Sequence, residues 1–240
     1  MVDRALRLGI ELAGVGTDIE GWRAVAVAVE ASGAGAIWIA AGEEDPCTLA
    51  GSLVCLTTSV LLGAVTGCAP TDRPPSILAR DVTALDVLSG GRAAVQLAGD
   101  DVDRLAEAAH VCRLLFTEDS PSYRGHHFVL EGAANRPPPV RSGGPPIVVA
   151  PGEGAMTDEA ARALSGVDAV VVGGGPAVVS AWREALAGPA LLRRGPVGGE
   201  DEVAALLDAG ADGLIVQLFD PSPPSPETLS ALVAAVHRPR

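Results

Sequence analysis

The sequence predicts an α/β fold, a single eight-fold βα barrel of minimal length, on three observations. Apolar, β-like runs alternate with amphipathic helical ones along all 240 residues, the pattern of a parallel sheet built from βα units. Eight such units can be counted, which favours a closed barrel over an open, doubly wound sheet. Hydrophobic residues make up 48% of the chain, enough for one large core, and a barrel of this kind takes roughly 250 residues. One domain is expected over residues 1–240.

The strands are read as Leu6 to Leu12, Ala36 to Ala40, Val60 to Val65, Ala93 to Leu97, Ile147 to Ala150, Ala169 to Val172, Ala190 to Arg193 and Gly213 to Leu218. The seventh carries the weakest pattern. Helices fit between them at Glu20 to Ser32, Thr48 to Thr58, Ser76 to Leu88, Val102 to Phe116, Thr157 to Leu164, Ala177 to Leu186, Asp201 to Ala209 and Pro226 to Val236. The third unit is the clearest. Ile77, Leu78, Val82, Leu85 and Leu88 fall close to helical spacing, Ser89-Gly90-Gly91 stops the helix, and the strand that follows empties into Gly99-Asp100-Asp101. One excursion breaks the rhythm: residues 117–145 are too rich in Pro and Gly to continue a helix and read as a surface insertion after the fourth strand.

Charge and composition exclude several chemistries. The net charge is −13 and all 17 basic residues are arginine. Without lysine there is no Schiff-base, P-loop or general-base lysine. With three tryptophans, one tyrosine and three phenylalanines, the acidic chain offers neither a basic track nor a stacking platform for nucleic acid. Cys47, Cys55, Cys68 and Cys112 show no CxxC pairing and are expected as reduced thiols, not zinc ligands, so no metal site is expected. No apolar run reaches the roughly 20 residues needed to span a bilayer, and no signal-peptide pattern opens the chain, so a cytoplasmic location is expected.

In a parallel barrel, function collects on the loops after the carboxyl ends of the strands. Glu11 interrupts the first strand near that end and Asp100 follows the fourth; a carboxyl group sheltered in a barrel mouth is a candidate proton carrier. The alternative for Asp100 or Asp101 is to cap the next helix. Ala150-Pro151-Gly152-Glu153-Gly154-Ala155 after strand five and Gly173-Gly174-Gly175 after strand six both precede helices, where backbone N–H groups can receive a phosphate; ordinary βα turns read the same way. Gly14-Val15-Gly16 lacks the third glycine of a dinucleotide fingerprint, which falls at Ile19.

The run LARDVTALDVLSGGR resembles the luciferase-like monooxygenase family, whose flavin- and deazaflavin-dependent members carry a helix of the form LAR-x-x-x-x-LD-x-LS-x-GR. It matches at Leu78, Ala79, Arg80, Leu85, Asp86, Leu88, Ser89, Gly91 and Arg92. Tyr123, Gly125, Phe128, Pro137 to Pro139 and Pro145-Pro146-Ile147 fit the family's segment before strand five, and the likeness runs loosely from Leu6 to Val236. The resemblance implies FMN or coenzyme F-420 at the carboxyl mouth and hydride transfer to or from a small organic substrate. It also implies a backbone bulge at Gly63, Ala64 and Val65 behind the cofactor ring, with the phosphate on Gly152, Glu153, Gly154 and Ala155 and on Gly173, Gly174 and Gly175. It further implies a homodimer, or a heterodimer with a related barrel, formed through the helices near strands one to four. Val25, Val29, Leu49, Leu53, Val54 and Leu56 supply apolar surface there, unless it is buried against the barrel. Three departures from the family stand out. No histidine follows strand two, Gln96 and Ala98 replace the usual glycines of strand four, and Asp72-Arg73-Pro74-Pro75 replaces an Arg-His-Pro motif. These departures keep open a non-catalytic barrel that serves as a cofactor-binding or partner subunit. A phosphate-binding isomerase or lyase is less consistent with the absence of lysine.

Overall fold

The computed structural model describes residues 4–13, 19–40, 42, 44–69, 72–153, 157–197, 200–218 and 225–237. Its first half runs β1 (Leu8–Leu12), α1 (Ile19–Ser32), β2 (Ala36–Ala40), α2 (Pro46–Ser52), β3 (Leu61–Gly67), α3 (Pro75–Ser89), β4 (Ala93–Gly99) and α4 (Val102–Thr117). An excursion with a small hairpin, β5 (Tyr123–Arg124) and β6 (Val129–Leu130), follows. The second half is β7 (Ile147–Pro151), α5 (Asp158–Ala163), β8 (Ala169–Val172), α6 (Pro176–Ala185), β9 (Ala190–Gly195), α7 (Glu200–Asp208), β10 (Gly213–Leu218) and α8 (Pro226–Val236). The eight main strands close into a parallel barrel in the order β1-β10-β9-β8-β7-β4-β3-β2. The expected fold class is the observed one.

Strand alternation divides the core into two shells. Outward-facing Leu8, Ile10, Leu12, Ile37, Ile39, Leu62, Val95, Leu97, Ile147 and Val149 meet the helices in one continuous cluster. Inward-facing Ala36, Trp38, Leu61, Val65, Ala94, Val148, Ala169, Val171, Leu192 and Ile215 fill the barrel itself. The interior is a packed core and not a pore, as small parallel barrels require. Its largest member, the Trp38 indole, is 1% exposed and lies across two glycines. A Cβ on Gly63 would meet the indole at 2.1 Å, and one on Gly9 at 2.6 Å. We expect Gly63→Ala to lower stability by about 1–3 kcal/mol through overpacking, read as a fall in thermal midpoint. An unchanged midpoint would show that the indole yields at no cost.

The motif of the third unit proves to be a clamp on the amino-terminal side of the strands. α3 ends at Gly90, whose φ of 70° places it in the left-handed region glycine favours, and Gly91 N–H donates to the Asp86 carbonyl at 2.8 Å. The fully buried Asp86 carboxylate accepts from Val140 N–H at 2.7 Å, Arg141 N–H at 3.3 Å and Ala93 N–H at 3.4 Å. Arg92 spreads its guanidinium over the carbonyls of Val54, Thr57 and Val60 and the Thr57 hydroxyl. Glu30 of α1 reaches the same segment and accepts from Thr58, Ser59 and Val60. Burial pushes its carboxyl up, but the hydrogen bonds from Thr58, Val60 and Ser59 outweigh that and hold it at about 2.

Two details differ from the sequence expectation. The helix expected over Thr48 to Thr58 is shorter: Asp45 caps it through Thr48 N–H, Pro46 starts it, and after Ser52 the chain turns so that its carbonyls face Arg92. Among the apolar residues expected at a dimer face, Val25, Val29 and Leu53 are buried against the barrel, whereas Leu56 is exposed. The excursion over residues 117–145 is pinned along its length. Glu107 of α4 accepts from the N–H groups of His126, His127 and Phe128, and buried Asn135 donates to Thr83 Oγ1 and the Leu115 carbonyl. No helix among the described residues is long and apolar enough to cross a membrane.

Candidate functional site at the carboxyl mouth

The polar side chains inside the barrel stand in its upper part, towards the carboxyl ends of the strands. Alternation along β9 turns Ala190, Leu192 and then Arg194 inward, and on β10 it turns Ile215 and Gln217 the same way. Closure of the barrel sets β1 beside β10, with Glu11 in register with Gln217. Glu11 is 0% exposed and accepts from Arg194 Nε at 2.7 Å, from Arg194 Nη2, and from Gln217 Nε2 at 3.0 Å. This is a bidentate fork-to-carboxylate pair, the strong form of the interaction. Both oxygens of Glu11 are engaged, so in this arrangement it orients Arg194 and Gln217.

On the opposite wall, Gln96 of β4 shares the inward face with Ala94 and Ala98, between Val65 of β3 and Val148 of β7. It is 0% exposed, and neither its Nε2 nor its Oε1 has a hydrogen-bond partner among the described residues. An unpaired buried amide costs about 1–3 kcal/mol. Beyond it towards the mouth, Ala98 and Ala150, paired across β4 and β7, line this side of the entrance with methyl groups.

Ala64, expected at a bulge behind the ring, lies in a regular strand. β3 pairs residue for residue with β2 from Leu61 to Val65 and with β4 from Leu62 to Gly67. Ala64 faces the outer shell between Ile39 and Val95, while Gly63 lies under Trp38 and Val65 faces the barrel axis beside Gln96. The expected bulge is therefore corrected to a continuous strand, because Gly63 already accommodates the indole without one.

Asp100 is exposed on the rim, and a Cβ on Gly152 would sit 2.0 Å from its Oδ1. The helix cap is Asp101, which accepts from Arg104 N–H at 3.0 Å. Glu11 and Asp100 belong to strands three steps apart around the barrel and share no hydrogen bond. Gly152 N–H donates to the Gly99 carbonyl at 2.9 Å, Glu153 is exposed, and Gly154 and Ala155 lie outside the described residues. α5, which follows, is capped by the Thr157 side chain and opens with Asp158 and Glu159. At the end of β8, a Cβ on Gly173 would meet nothing within 4 Å, and Gly175 begins α6 with no side-chain cap. Arg193, 7% exposed, braces this loop by donating Nε to the Gly174 carbonyl at 3.0 Å.

Arg194, Gln217 and Arg193 are functional candidates that sequence reasoning missed. Alternation extended two residues past Leu192 is the signal for Arg194; nothing local marks its partner, 183 residues away. Cys47 and Cys112 are buried, and burial pushes both thiols up to about 12. No group of three metal-ligating side chains occurs among the described residues.

No curated protein matches the chain. Several solved structures share its fold. A coenzyme F-420-dependent secondary alcohol dehydrogenase, solved with an F-420–acetone adduct, is 13% identical with a TM-score of 0.73, covering 97% of this chain and 99% of that one. The coenzyme F-420-dependent tetrahydromethanopterin reductase from Methanopyrus kandleri is 14% identical with a TM-score of 0.76, covering 95% and 97%. A riboflavin lyase solved with modified FMN and riboflavin is 15% identical with a TM-score of 0.64, covering 86% and 67%. At these identities the likeness is one of fold. The profile of the luciferase-like monooxygenase family, however, matches residues 9–194, well over half of the chain and including the clamp, β4 and the loops after β7 and β8. With its closed barrel and polar mouth, the chain belongs to the luciferase-like monooxygenase family.

Proposed function

We propose that this barrel is an oxidoreductase or monooxygenase that uses FMN or coenzyme F-420 at its carboxyl mouth to pass a hydride to or from a small organic substrate. The observation that carries the reading is Gln96, a buried amide with free donor and acceptor below a methyl-lined entrance. Flavin and deazaflavin rings share an imide edge of alternating carbonyls and N–H, which such an amide complements. The donor set fits that edge. When bound, the cofactor supplies the redox chemistry, and the chain supplies orientation and exclusion of water. Gln96 fixes the ring edge, while Val65 and Ala98 pack beside it. Arg194, held by Glu11, presents a fixed cation at the mouth. The uncapped start of α6 at Gly173 to Gly175 receives the phosphate. The Gly152 to Ala155 loop is less suited to that role, because Asp158 and Glu159 in the next turn oppose an anion.

Gln96→Leu separates this reading from a structural role. Removal of an unpaired buried amide should raise the apo thermal midpoint while weakening FMN or F-420 binding about tenfold, followed by absorbance titration. A lower apo midpoint with unchanged affinity would count against it, as would no spectral change with either cofactor. A second reading, a barrel that binds a cofactor or partner without turnover, is favoured by a different observation: Glu11 is bound to Arg194, and Asp100 stands out on the rim. Tight binding without hydride transfer from a small alcohol or to an aldehyde or ketone would select it.

We also propose a dimer through the α2–α3 side. Leu56, Ile77, Val87 and Leu88 are exposed there, Leu88 to 69%. Light scattering should give twice the chain mass, and Leu88→Glu should shift it towards the monomer. A monomer at every concentration would remove the proposal.

A further inference from the structure

The amino-terminal end of the barrel, opposite the mouth, holds a cavity of about 690 Å³. Arg7 ahead of β1, Arg113 of α4, Arg141 at the end of the excursion and Arg183 of α6 line it, together with Asp168 and Asp212. Its volume falls within the roughly 300–1,000 Å³ usual for small-molecule sites.

Arg113 and Arg183 each have a structural task. Asp168 Oδ2 accepts from Arg113 and from Ile147 N–H at the start of β7. Asp212 Oδ2 does the same for Arg183 and for Leu191 N–H in β9. Each acid thereby ties a helix to the foot of a strand. Arg7 has no such task, since its guanidinium makes no hydrogen bond or ion pair among the described residues, and its main chain alone is engaged, through the carbonyl that accepts from Leu214. Arg7 therefore adds a guanidinium that no carboxylate among the described residues answers, in a chain whose net charge is −13.

We propose that this cavity is a second binding site, separate from the mouth, for a small molecule carrying a phosphate group, with Arg7 as its principal contact. Forked guanidinium donors match phosphate oxygens. The acidic chain as a whole repels an anionic bilayer, so the phosphate is that of a free molecule and not of a lipid surface.

The test is calorimetric titration of the full chain with inorganic pyrophosphate at constant ionic strength. Saturable binding is expected, about tenfold weaker in Arg7→Ala and intermediate in Arg7→Lys, and the same dependence on Arg7 should persist in a Gly173→Val background, where the mouth is altered. Because Arg7 supports no other side chain, the melting temperature of Arg7→Ala without ligand should match the parent. Wild-type affinity in both Arg7 variants, no saturable heat at millimolar pyrophosphate, or binding lost only in Gly173→Val would overturn the proposal. Anionic vesicles that bind the chain more tightly than pyrophosphate would overturn the choice of a free molecule.

Discussion

Arg194→Leu is expected to cost about 3–5 kcal/mol of folding stability, because it leaves Glu11 in the barrel interior with Gln217 as its remaining partner. For a chain of this size each kcal/mol moves the thermal midpoint by roughly 2–4 °C, so a fall of about 6–20 °C is anticipated. The reverse truncation, Glu11→Gln, should cost less, since the Arg194 side chain is 31% exposed and can turn its charge to water. Removing both partners as Glu11→Leu with Arg194→Leu should recover most of the loss, as apolar replacement of a buried pair commonly does. Circular dichroism melts of the three variants decide the matter. Equal losses in both single variants would show that Glu11 reaches solvent or another cation.

Asp86→Ala should be the other severe substitution, at about 3–5 kcal/mol, since three backbone N–H groups would lose a charged acceptor. Its effect has a local signature. Val140 and Arg141 anchor the far end of the excursion, so limited proteolysis should cut between residues 117 and 145 earlier than in the parent, even below the melting temperature. A melt and a cleavage pattern matching the parent would show that these amides have other partners.

The two variants probe parts of the molecule that were unequally legible in the sequence. The strands could be read almost residue for residue, because a buried parallel strand is a short apolar run and these are bounded by Gly, Pro and acids. The motif that identified the family was legible for the same reason, since it is local. Asp86, Ser89, Gly91 and Arg92 all serve one helix end and the turns beside it. That motif is scaffold, with its hydrogen bonds gathered on the amino-terminal side of the strands. The mouth was less legible. Glu11 drew notice as a charge within a strand, but its role depends on Arg194, and the two meet only when β10 closes against β1. Likewise Gln96 was visible as an odd residue in strand four, yet its lack of a partner follows from what Val65 and Val148 place on either side of it. The phosphate loops were located by their glycines. Which of them suits an anion rests on how the next helix is capped, by Thr157 in one case and by no side chain in the other.

The Trp38 indole, lying across Gly9 and Gly63, also makes the molecule two-ended. With Leu61, Leu192 and Ile215 filling the same interior, the described residues leave no aqueous path along the barrel axis. Solvent at the arginine-lined end and solvent at the carboxyl mouth are separate reservoirs. A molecule seated at one end cannot drive water through to the other. Any influence between the ends has to pass through the packed strands and the side chains between them, and the stiffness of a packed barrel sets how small that influence must be.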